Sequence, residues 1–172
     1  DRDWRALCAR SGCVLLRLGL PRGGGQPSEE PVRNASIGGD AVLLRALALV
    51  GERSGHEELS RARVLLFGFS AAGNFGVTFA ALHPDRTLGF IFYHSNMRGL
   101  GFDTAAVTGV PGLLIAGERD ETAGTTNARE LWSAMRRRGA PWAFVVHPGQ
   151  PHGSIDGIVG AGVLMRDWTE GI

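Results

Sequence analysis

Residues 64–74 constrain this chain more than any other stretch. Val64, Leu65, Leu66 and Phe67 run without interruption into Gly68-Phe69-Ser70-Ala71-Ala72-Gly73. Apolar residues then recur at Phe75, Val77, Phe79, Ala80 and Leu82, a helical spacing. The pattern predicts a buried strand, a sharp turn and a helix, with Ser70 at the tip of the turn. Strand and helix backbones pass close together in such a turn, which requires small residues at Gly68, Ala72 and Gly73. Its geometry pushes the serine hydroxyl outward and aims neighbouring N–H groups the same way. On its own the pattern also fits a glycine-rich turn in any parallel α/β protein, so the rest of the chain must supply partners for the serine.

Other apolar runs follow the same plan. Strands are expected at about residues 13–18, 64–67, 88–93, 112–116 and 142–147, with helical stretches between them. Helices are expected over residues 1–10, from Asp40 (as a cap) to about 50, after Ser70, from 125 or 126 to 138, and over 155–168. Near-continuous apolar strands alternating with helices predict an α/β fold. Its mostly parallel sheet has about five strands, with helices on both faces. At 172 residues, with no repeat and no linker, the chain is expected to form a single domain over residues 1–172.

Composition removes several function classes. The formal net charge is +1 and the basic residues are spread along the chain, so no nucleic-acid or membrane-surface partner is indicated. All the basic residues are Arg, a bias with no functional reading. No apolar run reaches the roughly 20 residues of a spanning helix. Cys8 and Cys13 cannot define a disulfide framework and are read as small buried apolar residues. Cys/His spacing suggests no metal site, and Gly23-Gly24-Gly25 lacks the ending of a phosphate loop, so no cofactor is expected. That stretch is read as a surface loop. Asn34-Ala35-Ser36 has glycosylation spacing, which carries no weight without evidence of secretion.

In an open parallel sheet, functional residues gather beyond the carboxyl ends of the strands. Ser70 follows the second expected strand, His94 and Ser95 the third, Glu118, Asp120 and Glu121 the fourth, and His147 and His152 the fifth. A serine, a carboxylate and a histidine therefore occur in that order, each just past a strand end.

These stretches resemble the α/β-hydrolases. Gly68-x-Ser70-x-Ala72 resembles their nucleophile elbow. Pro111 to Asp120 resembles their acid-bearing strand and turn, and His147-Pro148-Gly149-Gln150-Pro151-His152-Gly153 resembles their histidine loop. The resemblance spans nearly the whole chain and implies a serine esterase-like hydrolase acting on a small ester-like molecule. It implies Ser70 as nucleophile, His152 as base, Asp120 as the carboxylate that orients it, and the Ala71 N–H as an oxyanion donor. Glu118 and Glu121 stand as solvated alternatives to Asp120. Phe69, His94, Asn96 and Met97 are candidate pocket residues, with Arg98 beside them; a satisfied histidine at a strand end is an equal reading of His94. His147 is read as structural, His56 and His83 as surface, and Trp132, Trp142 and Trp168 as core. An acyltransferase or thioesterase would use the same triad, and a non-catalytic binding module would keep the motifs as relics.

The chain departs from that family at its beginning. One strand candidate precedes the elbow where several are expected, and no His-Gly loop precedes Cys13 to give the second oxyanion donor. The expectation is a fold that lacks its N-terminal strands and leaves a sheet edge open. The stretch from Ser95 to Val110 is too short for a large lid, so an open site is expected.

Overall fold

The computed structural model describes residues 2–19, 31, 33–97, 101–153 and 155–172, with no side chains for 155–159. Among these residues the sheet has four strands: β1 (Val64–Phe69), β2 (Thr87–Tyr93), β3 (Gly112–Gly117) and β4 (Trp142–His147). They lie in the order β1-β2-β3-β4, and every neighbouring pair is parallel. Five helices accompany them: α1 (Arg2–Ser11), α2 (Gly39–Ser54), α3 (Ala71–Leu82), α4 (Thr125–Arg137) and α5 (Ile155–Glu170).

The two central strands are buried on both faces, as their unbroken apolar sequence requires. Phe90, Phe92, Leu114 and Trp142 point to one face, where they meet Val77 and Ala80 of α3 and Ala128 and Met135 of α4. Ile91, Tyr93, Leu113 and Ile115 point to the other, beneath Ala161 and Met165 of α5 and Trp4 of α1. This alternation is the period-two rule of a strand. The Trp132 indole N–H donates to the carbonyl of Trp142, and the Trp142 indole N–H to that of Val110, so neither ring costs a lost hydrogen bond in the core. Leu43 and Leu47 of α2 cover Phe75 and Phe79 of α3, which is why α3 is apolar nearly all round.

Several expectations need correction. Residues 13–18 form no strand: they run as irregular chain, with Leu16 and Leu18 packed against the α2–α3 cluster and Val14 and Leu15 exposed. The described sheet therefore has four strands rather than five, and β1 is its edge, with Phe67 46% exposed. Both cysteines are free thiols, Cys13 exposed and Cys8 half-buried, so neither is a buried core residue. Gly38, at φ 100°, caps α2 in place of Asp40. The Asp40 carboxylate instead meets His83 Nε2 at 2.9 Å, which makes His83 a half-buried partner rather than a bare surface residue. The polar stretch before β1 forms a short 3₁₀ helix, Glu57–Arg61. The Gly23-Gly24-Gly25 loop and Arg98 lie outside the described residues.

Candidate active site

Ser70, His94, Asp120 and His152 all sit beyond the carboxyl ends of the strands, and His147 is the last residue of β4. Ser70 joins β1 to α3 with φ 54° and ψ −124°, a conformation that a residue with a Cβ adopts only under strain. The surroundings enforce it. The Ser70 N–H donates to the Tyr93 carbonyl at 3.0 Å, and the Ser70 carbonyl accepts the Gly73 N–H at 3.0 Å and the Ser95 hydroxyl. A Cβ on Gly68 would stand 2.1 Å from the Ala72 carbonyl oxygen, and one on Gly73 would stand 2.1 Å from Ser95 Oγ. Those two glycines, rather than Ala72, are what the close approach of strand and helix demands.

The hydrogen-bond ladder continues one step past the strands. The His94 N–H donates to the Ile115 carbonyl at 2.8 Å, and the Glu118 N–H to the His147 carbonyl at 3.0 Å. These bonds tie the loops after the strands to the sheet itself. Asp120 follows β3 by three residues and is buried. Its Oδ1 accepts the N–H groups of Thr122 (3.0 Å) and Ala123 (2.7 Å), and its Oδ2 meets His152 Nδ1 at 2.9 Å. His152 Nε2 lies 3.1 Å from Ser70 Oγ. Ser70, His152 and Asp120 are thus brought into one continuous hydrogen-bonded chain. Glu118 instead turns outward to the Gly149 N–H at 2.7 Å, and Glu121 is exposed.

Electrostatics follow from this packing. Burial alone raises the Asp120 carboxyl, but the His152 hydrogen bond, the Ala123 N–H, the His152 charge and the Thr122 N–H outweigh it and hold the group below its ordinary value. Burial pushes the Tyr93 hydroxyl up to about 12, and the charge of Asp120 adds to the effect. The arrangement holds an ionised carboxylate behind an imidazole whose far nitrogen faces a hydroxyl. Such a relay can take a proton from the serine and return it. Ala71 is the first residue of α3, where N–H groups have no acceptor within the helix.

The candidate pocket residues divide. Phe69 is half-buried with its ring 5.0 Å from that of His152, so it flanks the imidazole. His94 does not line a pocket: its side chain is fully buried, stacked on Tyr93 with ring centroids 4.2 Å apart. Met97 packs against the core cluster, and the Asn96 amide donates to the Ala123 carbonyl at 3.2 Å. Both are held by the fold rather than presented from it. His147 is half-buried, and His56 is exposed beside Glu58. Val107 and Val110 pack into the core instead of forming a lid. Sequence reasoning missed the role of Ser95 beneath the turn and the two N–H groups that clamp Asp120. The need for glycine at position 73 was the signal for the first.

Among the described residues, one group has ligand atoms close enough for a metal ion: His94, Asp120 and His152, within 4.8 Å of one another. Two imidazoles and a carboxylate would suit zinc. Asp120 Oδ2 and His152 Nδ1 already meet each other at 2.9 Å.

Comparison with known proteins now adds to this geometry. No curated protein matches the chain. The chain resembles the solved esterase PE8 at 18% identity, with a TM-score of 0.59, over 86% of this chain and 68% of that one. It resembles SOBER1 of Arabidopsis thaliana at 15% identity and a TM-score of 0.58, over 93% and 76%. A predicted CIB-like hydrolase of Thermoplasma acidophilum matches at 16% identity and a TM-score of 0.53, over 75% and 60%. The chain thus spans about two thirds of the length of the structures it resembles, and the likeness establishes the α/β-hydrolase fold. The model of the dienelactone hydrolase family matches residues 34–156, a stretch that holds Ser70, Asp120 and His152. With that match over most of its length, the chain belongs to the dienelactone hydrolase family.

Proposed function

We propose that this chain is a serine hydrolase that cleaves small carboxylic esters through an acyl-enzyme. The observation that carries the reading is the chain of contacts from Ser70 Oγ to His152 (3.1 Å) and from His152 to Asp120 (2.9 Å), with Ser70 held at φ 54°. In the first step His152 Nε2 takes the Ser70 proton while Oγ bonds to the ester carbonyl carbon. The carbonyl becomes an oxyanion, received by the Ala71 N–H with the α3 dipole behind it. The imidazolium is stabilised by Asp120, which stays ionised, and its Nε2 proton goes to the departing alkoxide. Water, deprotonated by the same nitrogen, then releases the acid and frees the serine.

Phe69 beside His152 supports an apolar contact for the acyl or alcohol group. The test is labelling with a fluorophosphonate. Ser70 carries the label in the wild type, Ser70→Ala takes none, and His152→Ala labels at least a hundredfold more slowly. A folded wild type that takes no label ends the proposal. Thioester cleavage and acyl transfer use the same three groups. Relative rates on a matched ester, thioester and alcohol acceptor separate them.

A further inference from the structure

His94 is a buried titratable group with no part in the proton path above, and its placement needs an explanation. Its side chain is fully buried, and neither ring nitrogen makes a hydrogen bond of good geometry among the described residues, although Asp120 Oδ2 and the Pro151 carbonyl are acceptors close to the ring. Unpaired polar atoms in a core are rare and unfavourable. Its backbone is one of two non-glycine positions with positive φ among the described residues, at 46°, and the other is Ser70. The ring stacks on Tyr93 with an interplanar angle of 15°, which fixes its plane. In that plane Nδ1 stands 3.4 Å from Asp120 Oδ2, the oxygen that His152 also uses. Gly117 makes room for it: a Cβ there would stand 2.6 Å from His94 Cε1 and 2.5 Å from the Gln150 carbonyl oxygen. The strand end that carries the acid loop is kept bare so that His94 and the loop leading to His152 can close over it.

We propose that His94 is a positioning residue: a neutral imidazole wedged between the acid loop and the histidine loop, whose Nδ1–H faces Asp120 Oδ2 and shares that oxygen with His152. The inference rests on the serine-hydrolase reading for its effect on turnover, but not for its effect on the Asp120–His152 pair. Four titratable groups face His94: Tyr93 on β2, Asp120 after β3, His147 at the end of β4, and His152. Burial lowers the His94 imidazole below its ordinary value. The Asp120 charge opposes this, His147 and His152 add to it, and the Pro151 carbonyl opposes it again. His94 therefore stays uncharged at neutral pH and cannot replace His152 as the partner that neutralises Asp120. A second donor on Oδ2 draws off part of the carboxylate's negative potential, which moderates how strongly Asp120 favours the His152 imidazolium.

The test compares His94→Phe, which keeps a ring and loses the donor, with His94→Asn. Asparagine tolerates positive φ and places an amide nitrogen close to where Nδ1 stands. Histidine side-chain proton–nitrogen NMR across pH reads each ring's titration and tautomer directly. In the wild type, His94 is neutral at pH 7 as a single tautomer with its hydrogen on Nδ1, and it protonates below the ordinary histidine value. In His94→Phe, the resonance of the His152 Nδ1 proton moves, because the Asp120 oxygen that His152 faces loses its second neighbour. The kcat for a nitrophenyl ester falls roughly ten- to a hundredfold with KM nearly unchanged, because Asp120 and His152 lose their register. His94→Asn recovers most of both. The inference is overturned if His94 carries no hydrogen on Nδ1 at pH 7, if the His152 Nδ1 proton resonance does not move in His94→Phe, or if the Phe and Asn variants are alike. A wild type inert to esters whose His152 Nδ1 proton resonance still responds to position 94 refutes the hydrolase reading and leaves the positioning role standing. Where a variant fails to fold, a wild-type spectrum without a hydrogen on His94 Nδ1 still overturns the inference.

Discussion

Replacing Asp120 by asparagine exchanges one oxygen for an NH2 group, and the structure determines which one. Oδ1 accepts two backbone N–H groups, from Thr122 and Ala123. Turning the new NH2 toward them would lose both bonds, at about 1–3 kcal/mol each. The amide oxygen therefore stays at the δ1 position, and the NH2 faces His152 Nδ1. That nitrogen must then accept, so the imidazole carries its hydrogen on Nε2, toward Ser70 Oγ 3.1 Å away. A base with its hydrogen pointing at the serine cannot take the serine's proton. Forcing the wrong tautomer in a Ser-His-Asp site lowers kcat by about 10⁴, equivalent to about 5.4 kcal/mol of barrier. The assay is initial-rate hydrolysis of a nitrophenyl ester, with urea unfolding of the same sample to show an intact fold. A folded Asp120→Asn protein within tenfold of wild-type kcat would refute the reasoning, since it would mean that Asp120 does not set the tautomer.

Further outcomes follow from the same geometry. Ser70→Gly relieves the strain at φ 54°; it abolishes ester turnover and raises stability by about 1 kcal/mol, read as a higher urea midpoint. Gly68→Ala places a methyl group against the α3 backbone, 2.1 Å from the Ala72 carbonyl oxygen; it costs about 3 kcal/mol on the same measurement. Acid sensitivity has two steps. Asp120 and His94 both have folded values below their ordinary ones, 3.8 and 6.5 respectively. Each contributes stability that is full above that ordinary value and is lost as pH falls toward the folded one. Unfolding free energy measured against pH therefore begins to fall below 6.5 and falls further below 3.8. His94→Phe removes the first step, and Asp120→Asn the second.

The central strands β2 and β3 were legible because burial on both faces leaves an unbroken apolar run; β4, half-buried at an edge, was legible by the same apolar run. Residues 13–18 are equally apolar but do not pair. Strand formation depends on a neighbour to receive the ladder, and Leu16 and Leu18 satisfy the apolar demand by packing alone. Ser70, Asp120 and His152 could be picked out because each stands just past a strand end in a distinctive local pattern. His94 stands in the same kind of place, yet sequence alone could not separate a pocket histidine from a buried one. The stack on Tyr93 and the bare Gly117 decide that, and both are relations between strands.

The strand order has a mechanical consequence. Ser70 leaves β1 at one edge of the sheet, and His152 leaves β4 at the other, three strand spacings or about 14 Å away. Residues 148–152 must bridge that distance over the ends of β2 and β3. The bridge is pinned at Gln150, whose carbonyl accepts the Arg119 N–H at 3.0 Å, and at Gly149, held by the exposed Glu118 carboxylate. Glycines with φ 67° and 78° stand near its start, at position 149, and just past its end, at position 153. The imidazole is thus carried on a short arm held by two hydrogen bonds from the loop after β3, while the serine is anchored in the sheet. On heating, the arm lifts before the strands separate, so hydrolysis ceases at a lower temperature than the one at which the protein unfolds.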